Sequence, residues 1–144
     1  IARFETTYRP ATLVAVAYSG GVETSRTVLH TAGPPSALRL TPDRAHLRSV
    51  FGDLSYITVE VVDADGNVCH ACDAAVTLAA SGAGRLIALG TSDPKSEESF
   101  GGPSRRLFFG RAMAVVRASG EPGEITVTAV AEGLPASGVA LRVG

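Results

Sequence analysis

Residues 53–67 read DLSYITVEVVDADGN, and this stretch decides the fold. Ile57, Val59 and Val61 alternate with Thr58, Glu60 and Val62, a period of two that predicts a β-strand with one buried face. The run stops in Asp63-Ala64-Asp65-Gly66-Asn67. Asp-Gly tolerates the positive φ of a tight turn, and Asp and Asn side chains bond nearby backbone groups, so the chain is expected to turn there in a hairpin. Strand, turn and following strand are expected to form the middle of an antiparallel sandwich. Nothing in the stretch has the pattern of a reaction centre.

Further along, the same period recurs. Ala74–Ala80 places Val76 and Leu78 on one face, Gly82-Ala83-Gly84 turns the chain into Arg85–Leu89, and Leu107–Phe109 predicts a short strand. Arg111–Ala118 directs Ala112, Ala114 and Val116 inward and leaves Met113 and Val115 on the arginine side. Glu124–Ala131 directs Ile125, Val127 and Ala129 inward, and Gly138–Val143 closes with Val139, Leu141 and Val143. Residues 90–103, rich in Ser, Gly and Pro, predict a long surface loop. About seven short strands separated by turn signals predict an all-β, immunoglobulin-like antiparallel sandwich. No segment has helical periodicity.

Towards the start, Ile1–Thr7 predicts a strand and Tyr8-Arg9-Pro10-Ala11 a turn. Leu13–Tyr18 is apolar on nearly every residue, the pattern of a strand buried on both faces or at a sheet centre. Gly20-Gly21 predicts a hairpin and Val22–Thr31 the returning strand. Gly33-Pro34-Pro35-Ser36 is stiff and cannot pair regularly, which makes it a linker. Ala37–Leu40 opens the next strand, and His46–Ser49 is expected to continue it. Residues 1–35 and 36–144 are therefore read as two domains. Three strands cannot close a sandwich, and a bare apolar face costs roughly 25 cal/mol per Å². Residues 1–35 are thus expected to be the last strands of a preceding β-sandwich, covered by the second domain or by another copy.

The 144 residues and their 45% apolar content support a real core. A net charge of −1 gives no electrostatic footprint for nucleic acid, and no apolar run is long enough to span a bilayer as a helix. Aromatics suited to stacking on a sugar reduce, in the second domain, to Tyr56, Phe100, Phe108 and Phe109.

Catalysis by a carboxyl pair, one acting as acid and the other as nucleophile, needs the two groups about 5–5.5 Å apart. Asp63 and Asp65 fall in a turn, Glu97 and Glu98 in the polar loop, Glu121 and Glu124 around another turn, and Glu60 on a polar strand face. Asp63, Asp65 and Asn67 imitate the start of a calcium loop, but its sixth and twelfth positions are Val68 and Ala74 instead of Gly and Glu. Cys69-His70-Ala71-Cys72 is compatible with free thiols, with a local or intermolecular disulfide, or with a soft metal. Its other histidines, His30 and His46, are distant and there is no second C-x-x-C. No catalytic, cofactor-binding or metal-binding residue is assigned, no cofactor is expected, and the compartment is left open.

TYRPATLVAVAY, GVETSRTVLHTAGPPSALRLTPDR, DLSYITVEVVDADGN and GRAMAVVRASGEPGEITVTAVAEGL occur in that order. Together they resemble the C-terminal β-sandwich region of bacterial glycoside hydrolase family 2 enzymes of the β-galactosidase type, and the resemblance spans essentially the whole chain. In that family a Y-x-P-G-x-L-x-A-x-x-Y stretch ends one sandwich. A T-A-G-x-P linker then leads to an immunoglobulin-like domain carrying D-L-x-Y-[IV]-x-V-x-[VI]-x-D-x-x-G-N. Ala11 replaces a usual Gly, Cys69–Cys72 a Val-Pro segment, and Gly90-Thr91-Ser92-Asp93 a Gly-Asn-Gly-Asp. The resemblance implies a β-glycosidase parent with its two catalytic glutamates on an upstream (β/α)₈ barrel. This chain would then be a non-catalytic accessory domain serving packing, oligomerisation or the substrate entrance, with the upstream domains and a homo-oligomer as partners. A carbohydrate-binding module and an adhesin-like spacer are the alternatives.

Overall fold

The computed structural model describes residues 3–144. Strands β1 (Thr12–Ser19) and β2 (Val22–His30) form a separate antiparallel ribbon. Gly20 and Gly21 join them at φ of 57° and 81°, the doubly positive backbone of a two-residue hairpin turn. The nine strands that follow are β3 (Ala37–Pro42), β4 (His46–Leu47), β5 (Leu54–Val62), β6 (Ala75–Gly82), β7 (Gly84–Gly90), β8 (Ser104–Arg106), β9 (Arg111–Ala118), β10 (Gly123–Ala131) and β11 (Ser137–Val143). One sheet runs β3-β5-β9-β7 and the other β4-β11-β10-β6-β8. They face each other as an immunoglobulin-like sandwich, and seven of its strands have six or more residues.

The alternation in sequence sets which side faces in. Ile57, Val59 and Val61 of β5 and Ala114 and Val116 of β9 are fully buried, as are Val76 of β6 and Ile125, Val127 and Ala129 of β10. Leu78 and Leu141 join them, while Met113 is 47% exposed on the outer face. The inner strands pair without a slip, for example Ile57 opposite Ala114 and Val127 opposite Ala80, so the buried rows stack. The β7–β9 pair shifts register between Leu86 and Ala88, where a bulge leaves Ile87 without an opposite residue.

Five expectations are corrected. Ile1 and Ala2 lie outside the described residues, and residues 3–9 form no strand, so two strands precede the linker among the described residues. Leu13–Tyr18 lies not at a sheet centre but in the ribbon, with Leu13 54% and Tyr18 65% exposed. His46 does not continue β3. The chain crosses to the other sheet at 43–45, where β4 pairs in parallel with β11 through His46–Arg142 and Leu47–Val143. Asp43 assists this departure: its N–H donates to the Tyr56 carbonyl, and its carboxylate accepts from the Tyr56 N–H and the Ser55 hydroxyl. The turn at 63–67 closes a minimal hairpin, with Val62 bridging Val68, but β6 then enters the opposite sheet. Finally, Leu107–Phe109 is no strand. The strand is Ser104–Arg106, and Phe109 has φ 49° in a tight turn in which the Arg111 N–H donates to the Phe108 carbonyl.

Candidate functional site

The 63–67 turn does more than reverse the chain. The Asp63 carboxylate accepts the backbone N–H groups of Gly33 (2.8 Å), Asn67 (2.8 Å) and Asp65 (3.0 Å), and the Asn67 amide at 3.1 Å. Gly33 lies in the linker, so one buried carboxylate holds the linker to the end of β5. The Gly33 N–H contributes most, and together these donors hold the Asp63 pKa down to about 2. Both oxygens are thus engaged by N–H donors, which is the reverse of a calcium loop, where they would face a cation.

This tether fixes a pH dependence. A carboxyl whose folded pKa lies below its ordinary value contributes stability that is complete above the ordinary value and is lost as pH falls through the folded one. The urea midpoint is therefore expected to drop further in the native chain than in Asp63→Ala as pH falls from about 5 to about 2. In Asp63→Ala, amide exchange at Gly33 is expected to accelerate by about tenfold or more at neutral pH. Equal pH slopes in the two proteins would show that the tether carries no stability.

Next to the tether opens a cavity of about 670 Å³ between the linker and the Cys69–Cys72 loop, bordered by Tyr8, His30, Pro35, Cys69, His70 and Cys72. Cys69 is buried and Cys72 half-buried, and neither is in a disulfide. The His70 Nδ1 lies 3.3 Å from the Phe109 carbonyl, and His30 Nδ1 lies 2.9 Å from the Thr12 hydroxyl at the foot of the ribbon. His46 is exposed on β4. Among the described residues no three His, Cys, Asp or Glu side chains are grouped to hold a metal ion.

Glu60 is no solvent-facing carboxylate. It lies on the central strand between Arg39 of β3 and Arg111 of β9, its partners in register on either side. Arg39 donates to Oε2 through Nε (3.0 Å) and Nη2 (2.7 Å), and Arg111 Nε donates to Oε1 at 2.9 Å. Burial pushes the Glu60 pKa up, but the two guanidiniums outweigh it and the pKa lies below the usual range. Its charge is spent on clamping three strands. Glu97, Glu98, Glu121, Glu124 and Asp65 are exposed.

The aromatic candidates divide between two places. Tyr56 on β5 and Phe100 in the long loop are 41% and 60% exposed. Phe100 borders a second groove of about 440 Å³ on the outer face of β5, β9 and β7, with Thr58, Met113 and Val115. Phe108 and Phe109 pack edge to face beside the Cys69–Cys72 loop, ring centres 4.6 Å apart. The four do not form one platform. Phe51, 74% exposed with the Arg117 guanidinium 5.1 Å from its ring centre, was not among the sequence candidates. The adjoining Gly52 is the local signal of its exposed turn.

Residues 38–140, the span from β3 into β11, match the family described as glycoside hydrolase family 2 C-terminal domain 5. The chain belongs to that family. This glycoside hydrolase family 2 domain is 35% identical over 127 residues to the β-galactosidase BoGH2A of Bacteroides ovatus, covering 88% of this chain and 15% of that protein. A glycosyl hydrolase family 2 member from Bacteroides cellulosilyticus superposes with a TM-score of 0.92 at 33% identity, over 95% of this chain and 18% of its own. A β-glycosidase from Bacteroides vulgatus, at 19% identity, shares the fold with a TM-score of 0.85, over 94% of this chain and 18% of its own. The domain therefore spans less than a fifth of the length of these relatives.

Proposed function

We propose that this domain is a non-catalytic accessory part of a β-galactosidase-like glycoside hydrolase, whose two catalytic carboxylates lie upstream, and that residues 1–35 complete a preceding β-sandwich. The observation that carries this reading is the β1–β2 ribbon. It exposes apolar side chains throughout, with Leu13, Val14, Val22, Val28 and Leu29 each more than 40% exposed. A two-stranded ribbon is marginal in water by itself, so its apolar residues suit a larger sheet in the same parent. The acids on the sandwich support the same division of labour, because Glu60 and Asp63 are consumed in structural contacts.

The test compares the whole parent enzyme with a form lacking residues 36–144, using a chromogenic β-galactoside. The shortened enzyme is expected to keep kcat within about tenfold while losing thermal stability or changing its assembly, and the 144-residue chain is expected to turn over no substrate. A shortened enzyme that remains folded but has no measurable kcat, or turnover by the chain itself, would overturn the reading.

A further inference from the structure

The Cys69–Cys72 segment is absorbed by none of the structural roles above. The Cys72 N–H donates to the Cys69 carbonyl at 3.0 Å, closing a four-residue β-turn. Such a turn holds its outer Cα atoms within about 7 Å, at the upper margin of the 4.4–6.8 Å range that disulfides typically span. Both side chains border the cavity beside the linker. They differ in access: Cys69 is 5% exposed and Cys72 half-buried. His70 lies against the Phe109 carbonyl, and no third ligand joins the two sulfurs among the described residues. The chemistry open to the pair is thus that of two thiols, not of a four-ligand zinc site.

We propose that Cys69 and Cys72 are a reversible dithiol–disulfide pair, a redox-modification site where the linker meets the sandwich. The co-reactant is a small disulfide such as oxidised glutathione. The Cys72 thiolate attacks one sulfur of that disulfide, forming a mixed disulfide and releasing one thiolate. Cys69 then loses its proton to solvent and attacks the Cys72 sulfur. The Cys69–Cys72 bond forms and the second thiolate leaves, so the protein gives up two electrons and two protons and the co-reactant takes them. Burial, with the charges of Asp63 and Cys72, pushes the Cys69 thiol up, which leaves the first attack to the accessible partner. Oxidation also has a structural result. The Cys69 thiol lies 3.6 Å from the Gly33 carbonyl as a donor, and a disulfide has no S–H to donate. That tie to the linker is therefore removed, while those from the Gly33 N–H to Asp63 and from the Ser36 N–H to the Val62 carbonyl remain.

The experiment is intact mass and alkylation of the full chain after incubation with oxidised glutathione. The wild-type chain is expected to lose the mass of two hydrogens, to resist alkylation after unfolding, and to recover both thiols with dithiothreitol. Cys69→Ser is expected to stop at a glutathione adduct on Cys72, and Cys72→Ser to stay unmodified while folded. A wild-type chain that stops at the glutathione adduct, cross-links to a second chain, or keeps two alkylatable thiols would overturn the proposal.

Discussion

Gly82→Ala is expected to destabilise the sandwich by about 3 kcal/mol or more, the range of strained-backbone and overpacked substitutions. Gly82 ends β6 and Gly84 begins β7, so the chain passes from one sheet to the other at Ala83 alone. The Ala83 N–H donates to the Glu124 carbonyl at 2.9 Å, and the Ala83 carbonyl accepts the Ser119 N–H at 2.9 Å. That pinning leaves no room for a side chain on either side. Gly82 has φ 90°, and a Cβ there would land on the Glu124 carbonyl. A Cβ on Gly84 would lie 2.6 Å from the Arg117 carbonyl and collide with Ile125. Gly133 is the control: its φ is 75° but no atom lies within 4 Å of the added carbon, so Gly133→Ala is expected to cost only about 1–2 kcal/mol from backbone conformation. Urea denaturation of these two variants beside the unsubstituted chain measures the difference. Equal midpoints for Gly82→Ala and Gly133→Ala would mean that the close approach at the corner has no energetic weight.

Arg105→Ala is expected to cost about 2–3 kcal/mol and to release the 91–103 loop. Arg105 is 1% exposed. Its guanidinium donates to the Glu98 carbonyl (2.9 Å), the Ser96 hydroxyl (3.2 Å) and the Thr91 hydroxyl (3.3 Å), and it lies 4.4 Å from the centre of the Phe100 ring. One side chain thus replaces the regular backbone pairing that the loop lacks. Loss of protection in hydrogen exchange is expected at Leu89, whose N–H donates to the Phe100 carbonyl. Arg105→Lys is expected to recover only part of the effect, since an ammonium lacks the planar fork that reaches several acceptors at once. Unchanged protection of Leu89 in Arg105→Ala would show that the loop holds itself.

These two sites also mark where the sequence is legible and where it is not. β5, β9 and β10 are readable because each buries one face, and a period of two then appears directly as apolar and polar letters. β8 is misplaced by three residues because its buried side chain is Arg105, which reads as surface. Leu13–Tyr18 misleads in the opposite sense: an apolar run reports what a strand could bury, not whether a partner is present. The passage of β4 to the second sheet leaves no periodic trace, since inward-facing residues look alike in either sheet. Asp63 was legible as a turn residue but not as a tether, because its strongest partner, the Gly33 N–H, lies thirty residues away and carries no side-chain signal. The same reason hides the Arg39–Glu60–Arg111 strip, whose members become neighbours only once the registers are set.

The parallel pairing of β4 with β11 has a mechanical meaning. His46 and Leu47 run alongside Arg142 and Val143 in the same direction, and the adjoining bonds from the Arg142 N–H to the Ala45 carbonyl (2.8 Å) and from the Gly144 N–H to the Leu47 carbonyl (3.0 Å) extend the contact. Tension applied backwards from residue 46 and forwards from residue 143 slides these strands past each other along their length. Their bonds are then loaded together in shear instead of being peeled apart one at a time. A short pairing of this kind resists a pull between those two points more than its few bonds suggest, and for forced unfolding it is the rate of rupture, not the equilibrium stability, that matters.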